Sequence, residues 1–327
     1  MKKAQKLLEV QDLCVSFPTR KGTIHPVRHL SFEMKEGEIL GVVGESGCGK
    51  SLANLALMGL LPDNADLKAR TLRFRGRDLL SLSNTERRKL RGKEMAMIFQ
   101  DPMAALNPCL TIGRQIDEAI AVHLGGSKKE RRERALELLD QMGLPAPAKR
   151  LGSYPHELSG GMCQRVMIAQ AIASRPGLLI ADEPTTALDA TIQSQILDLL
   201  LRLREERKMG ILFVSHDIGV VANISDRAQV MYAGEVVESG VTDEIIKLPI
   251  HPYTEALFKS LPGHQKQRQS TLYNLPGVVP NLLSRPTGCQ FHPRCPHAGS
   301  LCEERDPERV EVLGLSYKCH LPLGEWT

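Results

Sequence analysis

The chain has 327 residues, a formal net charge of +4, 42% apolar residues and only 4% aromatic ones. That length allows a large core in one domain, or one domain with a substantial appendage. The mild basic excess permits an anionic partner without demanding one, and no run of about 18 apolar residues is present to span a membrane.

The N-terminus, Met1-Lys2-Lys3-Ala4-Gln5-Lys6, is basic, but no apolar segment follows it, so it does not read as a secretory signal. A cytoplasmic setting is expected, in which disulfides are disfavoured. Arg70, Arg73, Arg75, Arg77, Arg87, Arg88, Lys89, Arg91 and Lys93 form a basic stretch. It reads as a solvated face, because no aromatics interleave with it as a nucleic-acid stacking surface requires.

In chain order, Leu7–Val10, Leu13–Phe17 and Glu38–Val43 read as short strands. A Gly-rich loop follows, then a helix from Lys50 to about Leu60, and Met95–Phe99 is a further buried strand. Residues 101–165 read as a mostly helical insert. Ser127 with Glu130 forms a capping box, Leu136, Leu139 and Met142 mark a helical face, and Gly143 closes it. A second helix is expected over Gln164–Ser174. The apolar runs Leu178–Ala181 and Ile211–Val214 have the character of strands buried on both faces. Between them a helix carries Ile192, Ile196, Leu199, Leu200 and Leu203 on one side, with Gly210 as its stop. Strand, helix, strand gives an α/β fold. Prolines punctuate the chain after about residue 250, and 261–327 reads as an appended, loop-rich segment holding four of the eight cysteines.

Gly44-Glu45-Ser46-Gly47-Cys48-Gly49-Lys50-Ser51 fits G-x-x-x-x-G-K-[ST]. Its glycines let backbone N–H groups turn toward phosphate oxygens, and the following helix adds its positive end. Lys50 would reach the β- and γ-phosphates and Ser51 would ligate Mg²⁺. Asp182, at the tip of the run ending Ala181-Asp182-Glu183, can hold Mg²⁺ through water, and Glu183 is placed to polarise an attacking water. His216 follows another strand and reads as a γ-phosphate contact, since ligands gather at such strand ends. Gln100 is a further polar residue at a strand tip. Ser159, Gly160 and Gly161 open another helix and so form a second anion-binding start. One nucleotide does not need two such sites, which points to a dimer in which this segment covers the partner's nucleotide.

The order Gly44–Ser51, Gln100, Leu158–Gln164, Leu178–Glu183, Ala187-Leu188-Asp189 and His216 resembles the ATPase cassette of ABC transporters over about residues 7–250. The resemblance implies a P-loop NTPase fold with a RecA-like core, an antiparallel β subdomain and a helical subdomain near 101–165. It also implies two cassettes head to tail with two ATPs sandwiched between them, Gln100 as a further Mg²⁺ contact, and an aromatic stacked on adenine, for which Phe17 is the matching residue. Met97–Met103, Leu106-Asn107-Pro108, Val230–Gly234, His251-Pro252-Tyr253-Thr254 and the tail from Gly288 to Pro296 resemble the oligopeptide/dipeptide/nickel importer branch, and within it the first ATPase of dipeptide permeases. The domains are then 1–260, the ATP-binding domain, and 261–327, the branch's C-terminal extension. Implied partners are a second, related ATPase, two membrane-spanning permease subunits and an extracytoplasmic solute-binding protein, with the chain peripheral on the cytoplasmic face of the inner membrane. No nucleic-acid partner is expected. Nickel or another small solute is the alternative cargo. A soluble ABC ATPase would call for fused cassettes or a long coiled coil, and neither is read in the sequence. Two residues depart from the family pattern: Cys48 stands where the loop usually carries Ser, and Cys163 follows the signature Met. A thiol in the loop raises the expectation of sensitivity to alkylation.

Cys289, Cys295, Cys302 and Cys319 have the spacing C-x5-C-x6-C-x16-C. Three readings compete. Cytoplasmic disulfides are disfavoured, zinc usually brings a tighter pair, and a [4Fe–4S] cluster accepts varied spacing. The resemblance favours the cluster, with zinc as the alternative.

Overall fold

A computed structural model describes residues 6–186, 188–260 and 275–324. The chain divides into two compact units. The first is built on Leu79–Phe213 with Lys35–Glu38 added; the second is built on Leu8–Met34, Ile39–Asp78 and the residues from Val214 onward.

In the first unit the strands Met95–Ile98 and Leu178–Asp182 run parallel, with Met95 opposite Leu178 and Ile98 opposite Ala181. The strand Gly210–Ser215 lies beside Leu178–Asp182. Every residue of these strands is buried, as expected of parallel strands covered on both faces. No strand interrupts the described residues between Ile98 and Leu178. That stretch is helical, chiefly Ile112–His123, Lys128–Gln141 and Gly160–Ile172. Ser127 and Glu130 form the expected capping box, and Gly143 takes φ +64 just past the helix end.

Three details differ from the sequence reading. The buried face of Lys128–Gln141 is Ala135, Leu138 and Leu139, with Met142 following, whereas Leu136 is only half-buried. The helix of Gln164–Ser174 starts earlier, at Gly160, because the Ser159 hydroxyl accepts from the Met162 N–H and caps it there. The helix Ala190–Arg207 buries Ile196, Leu199, Leu200 and Leu203 but ends at the left-handed Lys208, and Gly210 opens the next strand instead of stopping the helix.

In the second unit Ile39–Val43 pairs in parallel with Arg227–Tyr232. The latter turns through Ala233 and Gly234, both at positive φ, into antiparallel Glu235–Val241, a two-residue hairpin of the twist-matched type. Leu315–Tyr317, from the tail, adds to Glu235–Val241 and carries Val310–Val312 at its far side. A second sheet holds Gly22–Lys35, Lys6–Thr19, Thr71–Phe74 and Arg77–Asp78, with Asp66–Lys68 also on Lys6–Thr19.

The expected separate strands Leu7–Val10 and Leu13–Phe17 are one strand, Lys6–Thr19. Asp12, at φ +54, lies between them. Leu8 and Val10 are buried before it, Leu13 and Val15 after it, so the inward parity flips at Asp12. The strand also changes partner there: Leu8–Gln11 pairs with Thr71–Phe74, and Cys14–Ser16 with Asp66–Lys68. His29, at φ +49, flips parity in the same way between Val27 and Leu30 on the neighbouring strand. This paired bulge is what the alternation rule misread.

His29→Val and His29→Gly both lose the His29–Asp12 contact, so their difference isolates backbone strain. Val is expected to be less stable than Gly by about 1–2 kcal/mol in denaturant unfolding. Equal stability would mean that the left-handed turn is not enforced.

Candidate nucleotide site

In the second unit the buried strand Ile39–Val43 leads into Gly44–Lys50, and the helix Lys50–Met58 follows. Two positions in the loop have no room for a side chain. A Cβ at Gly44 would lie 2.2 Å from the Met231 carbonyl oxygen, and one at Gly49 would lie 2.2 Å from that of Pro26, at φ +102. Backbone therefore packs against backbone on the outer side of the loop. Lys50 is buried, and its Nζ donates to the carbonyl oxygens of Gly44 (2.6 Å) and Glu45 (3.0 Å). Its ammonium is thus parked on the loop itself, within reach of any anion that enters.

Glu45 is held from outside the loop. Its N–H donates to the Tyr253 hydroxyl at 2.9 Å. Its carboxylate accepts from both terminal nitrogens of Arg294, at 2.6 and 2.9 Å. Tyr253 and Arg294 lie in the His-Pro-Tyr-Thr and Pro-Arg-Cys-Pro segments, which the sequence reading used as family marks without assigning them a role at the loop. Tyr232, Tyr253 and Phe291 pack mutually in tilted and edge-on arrangements behind this point, with centroids 4.7–5.3 Å apart. Phe17, half-buried near the end of its strand, and His216, exposed just after Gly210–Ser215, also belong to this unit.

The first unit carries the other sequence-predicted residues. Asp182 ends its strand almost wholly buried. Glu183 follows at φ +49, and its carboxylate accepts from the Thr186 hydroxyl at 2.9 Å. Gln164, in the helix that Ser159 caps, donates to the Pro184 carbonyl at 2.7 Å, which ties that helix to the turn after Glu183. Ser159 and Gly160 are exposed, and a Cβ on Gly160 would meet nothing within 4 Å. This helix start is therefore open to solvent. Gln100 is exposed after Met95–Ile98.

The four tail cysteines converge. The Cys289 N–H donates to the Cys302 carbonyl at 2.8 Å. The His292 N–H donates to the Cys289 carbonyl at 3.1 Å; nearby backbone N–H dipoles of Phe291 and His292 at Cys289, of His297 at Cys295 and of Leu321 at Cys319 favour the thiolate, against a larger effect of burial. Burial, reinforced by the other three cysteines, pushes the Cys319 thiol up to about 12. Burial likewise raises Cys289 and Cys295.

Among the described residues, one group of three metal-type donors lies within 4.8 Å: Asp12, Cys14 and His29. His29 Nδ1 is already 2.6 Å from Asp12 Oδ1, and these two side chains are 65% and 50% exposed. The trio is an exposed His–Asp contact beside a thiol. Among the described residues, no helix is long and apolar enough to cross a membrane.

Cys48 corrects one expectation. It is 1% exposed, and desolvation raises its thiol despite Lys50 at 3.6 Å. A buried protonated thiol is a poor nucleophile. Brief alkylation of the folded chain followed by peptide mapping should label the exposed Cys109 and spare Cys48. Fast labelling of Cys48 would show that the loop opens.

Residues 27–186 match the ABC transporter family, and residues 237–302 match the oligopeptide/dipeptide transporter C-terminal region. The dipeptide transport ATP-binding protein of Escherichia coli is 51% identical over 320 residues, covering 98% of each chain. The oligopeptide transport ATP-binding protein of Bacillus subtilis is 46% identical, covering 97% of this chain and 89% of that one. Among solved structures, a dimeric bacterial ABC transporter cassette is 30% identical with a TM-score of 0.65, covering 72% of this chain and 98% of that one. A dimeric cassette in a post-hydrolysis state bound to ADP and Pi is 29% identical with a TM-score of 0.64, also over 72% and 98%. At that identity and coverage the chain belongs to the ABC transporter ATPases, in the branch that carries the oligopeptide/dipeptide transporter C-terminal region.

Proposed function

We propose that this chain binds and hydrolyses ATP to drive uptake of di- and oligopeptides across a bacterial inner membrane. The observation that carries the ATPase reading is the phosphate loop: two glycines admit no Cβ, and the Lys50 ammonium rests on carbonyls that it can exchange for phosphate oxygens. The peptide cargo rests on the names of the relatives and on the tail they share. Nickel or another small solute is the alternative.

In this reading Gly44–Ser51 wraps the phosphates, with Lys50 on the β- and γ-oxygens and Phe17 against adenine. Ser51, Gln100 and, through water, Asp182 would hold Mg²⁺, which would supply neutralisation of phosphate charge. Glu183, at the end of a rigid buried strand and steadied by Thr186, orients the attacking water. His216 contacts the γ-phosphate. Ser159, Gly160 and Gly161 cap the ATP of a second, related ATPase, which closes the dimer. Two permease subunits and an extracytoplasmic binding protein complete the machine, with this chain peripheral on the cytoplasmic face. The domain division is 1–260 for ATP and 261–327 for the extension, with the helical subdomain at about 101–165.

The extension is proposed to hold a [4Fe–4S] cluster on Cys289, Cys295, Cys302 and Cys319. Backbone N–H dipoles near Cys289, Cys295 and Cys319 would favour thiolates on binding a cluster. The role is structural, supporting a segment with little apolar core.

Glu183→Gln should lower turnover about a hundredfold or more with ATP binding intact, since the water loses its oriented base. Lys50→Ala should weaken ATP binding about tenfold or more. Unchanged hydrolysis by Glu183→Gln in the assembled transporter removes that residue from the mechanism. Anaerobic purification should give a brown protein absorbing near 400 nm, with about four irons per chain. A colourless protein with one zinc contradicts the cluster.

A further inference from the structure

Arg294 is built into the tail yet spends its side chain on the phosphate loop. It sits in the short turn His292–Arg294, between Cys289 and Cys295, and its side chain is 4% exposed. Nε donates to the Pro276 carbonyl at 2.8 Å. Nη1 donates to Glu45 Oε2 at 2.6 Å and reaches the Tyr232 hydroxyl at 3.4 Å, while Nη2 donates to Glu45 Oε1 at 2.9 Å. The guanidinium carbon also lies over the Tyr232 ring, 5.8 Å from its centroid. The hydrogen bonds to Glu45 hold this guanidinium even more firmly protonated than usual.

A buried arginine with a carboxylate in a two-bond fork is a directional contact, unlike a surface ion pair. It fixes the plane of the Glu45 carboxylate, and Tyr253 fixes the N–H of the same residue. Glu45 is the residue between Gly44, where the loop leaves the strand, and the turn that presents N–H groups to phosphate. Its carbonyl oxygen, with that of Gly44, is also where Lys50 rests. One side of Glu45 therefore holds the catalytic lysine, and the other side is held by the tail.

We propose that Arg294 is a positioning residue of the ATP site, and that through it the folded cysteine segment sets the affinity of the phosphate loop for nucleotide. The inference rests on ATP binding at Gly44–Ser51. The physical basis is preorganisation: a loop already held in its binding conformation does not lose that freedom when nucleotide arrives. If the tail loosens, Arg294 withdraws, the first limb of the loop gains freedom and affinity falls, although no residue touching phosphate has changed. Arg294 is one residue from Cys295, so whatever holds the cysteines together also holds the fork.

The test is a double-mutant cycle on the full chain, read by the Kd of ADP, which needs no turnover. Arg294→Met and Glu45→Gln should each raise that Kd about five- to tenfold, the scale of one charge-assisted hydrogen bond. The double variant should be no weaker than the worse single one, because both remove the same contact. Arg294→Lys, which keeps the charge but not the fork, should fall between. Cys295→Ser should raise the Kd in the wild-type background and add nothing to Arg294→Met. In assembled transporter Arg294→Met and Arg294→Lys should raise KM for ATP by a larger factor than they lower kcat. If Arg294→Met lowers thermal stability but leaves the ADP Kd unchanged, the fork is only a staple for the tail and the proposal fails. Additive effects in the cycle overturn it too. If Arg294→Met does not fold, Arg294→Lys and Glu45→Gln carry the same comparison. Lys50→Ala is the separate control: if it binds ADP as the wild type does, the phosphate-loop reading itself is wrong, whatever Arg294 does.

Discussion

The ammonium of Lys50 lies on the carbonyl oxygens of Gly44 and Glu45, and much of the second unit is arranged to keep that loop in place. Backbone closes around it at Gly44 and Gly49, where Met231 and Pro26 leave no space for a Cβ. Those two contacts come from the strand Arg227–Tyr232 and from Gly22–Lys35, so both sheets of the unit take part in shaping the loop. Among the described residues, this buried cationic group has carbonyl oxygens and not a carboxylate in direct contact. Such a group is tolerable only because fixed dipoles solvate it, and a phosphate would be a better partner.

The sequence-predicted residues fall in both units. The second holds the loop, Phe17, His216 and the cysteine segment. The first holds the acidic strand end, Gln100 and the capped helix, where Gln164 joins the signature region to the turn after Glu183. The tail enters the second unit in two ways: as strand Leu315–Tyr317 on Glu235–Val241, and as Phe291 and Arg294 against Tyr232 and Tyr253. A loop-rich segment thereby gains a core that it could not build alone.

The motifs were legible because each sits where a buried strand or a helix begins or ends, and short apolar runs mark those places. Ile39–Val43, Met95–Ile98 and Leu178–Asp182 fall within a residue of the predicted runs for that reason. The strand Gly22–Lys35 went unread: His25, Pro26 and the parity flip at His29 erase its alternation. Helix ends were also misjudged where Lys208, not a glycine, took the left-handed turn. The fork between Arg294 and Glu45 joins residues 249 apart, and no local pattern reports a contact at that range. The sequence showed that the tail carries cysteines and an arginine, but not that the arginine reaches the phosphate loop.

The central claim, that this chain turns ATP hydrolysis into peptide movement, is tested most directly in sealed vesicles. This chain would be assembled with permease subunits and with the proposed second ATPase and solute-binding protein, with Mg²⁺ and ATP supplied on the side of the ATPase. Uptake of a labelled dipeptide and release of phosphate would be followed together. The account predicts that the dipeptide stimulates both and that nickel stimulates neither. Hydrolysis that ignores the dipeptide, or stimulation by nickel alone, would contradict it.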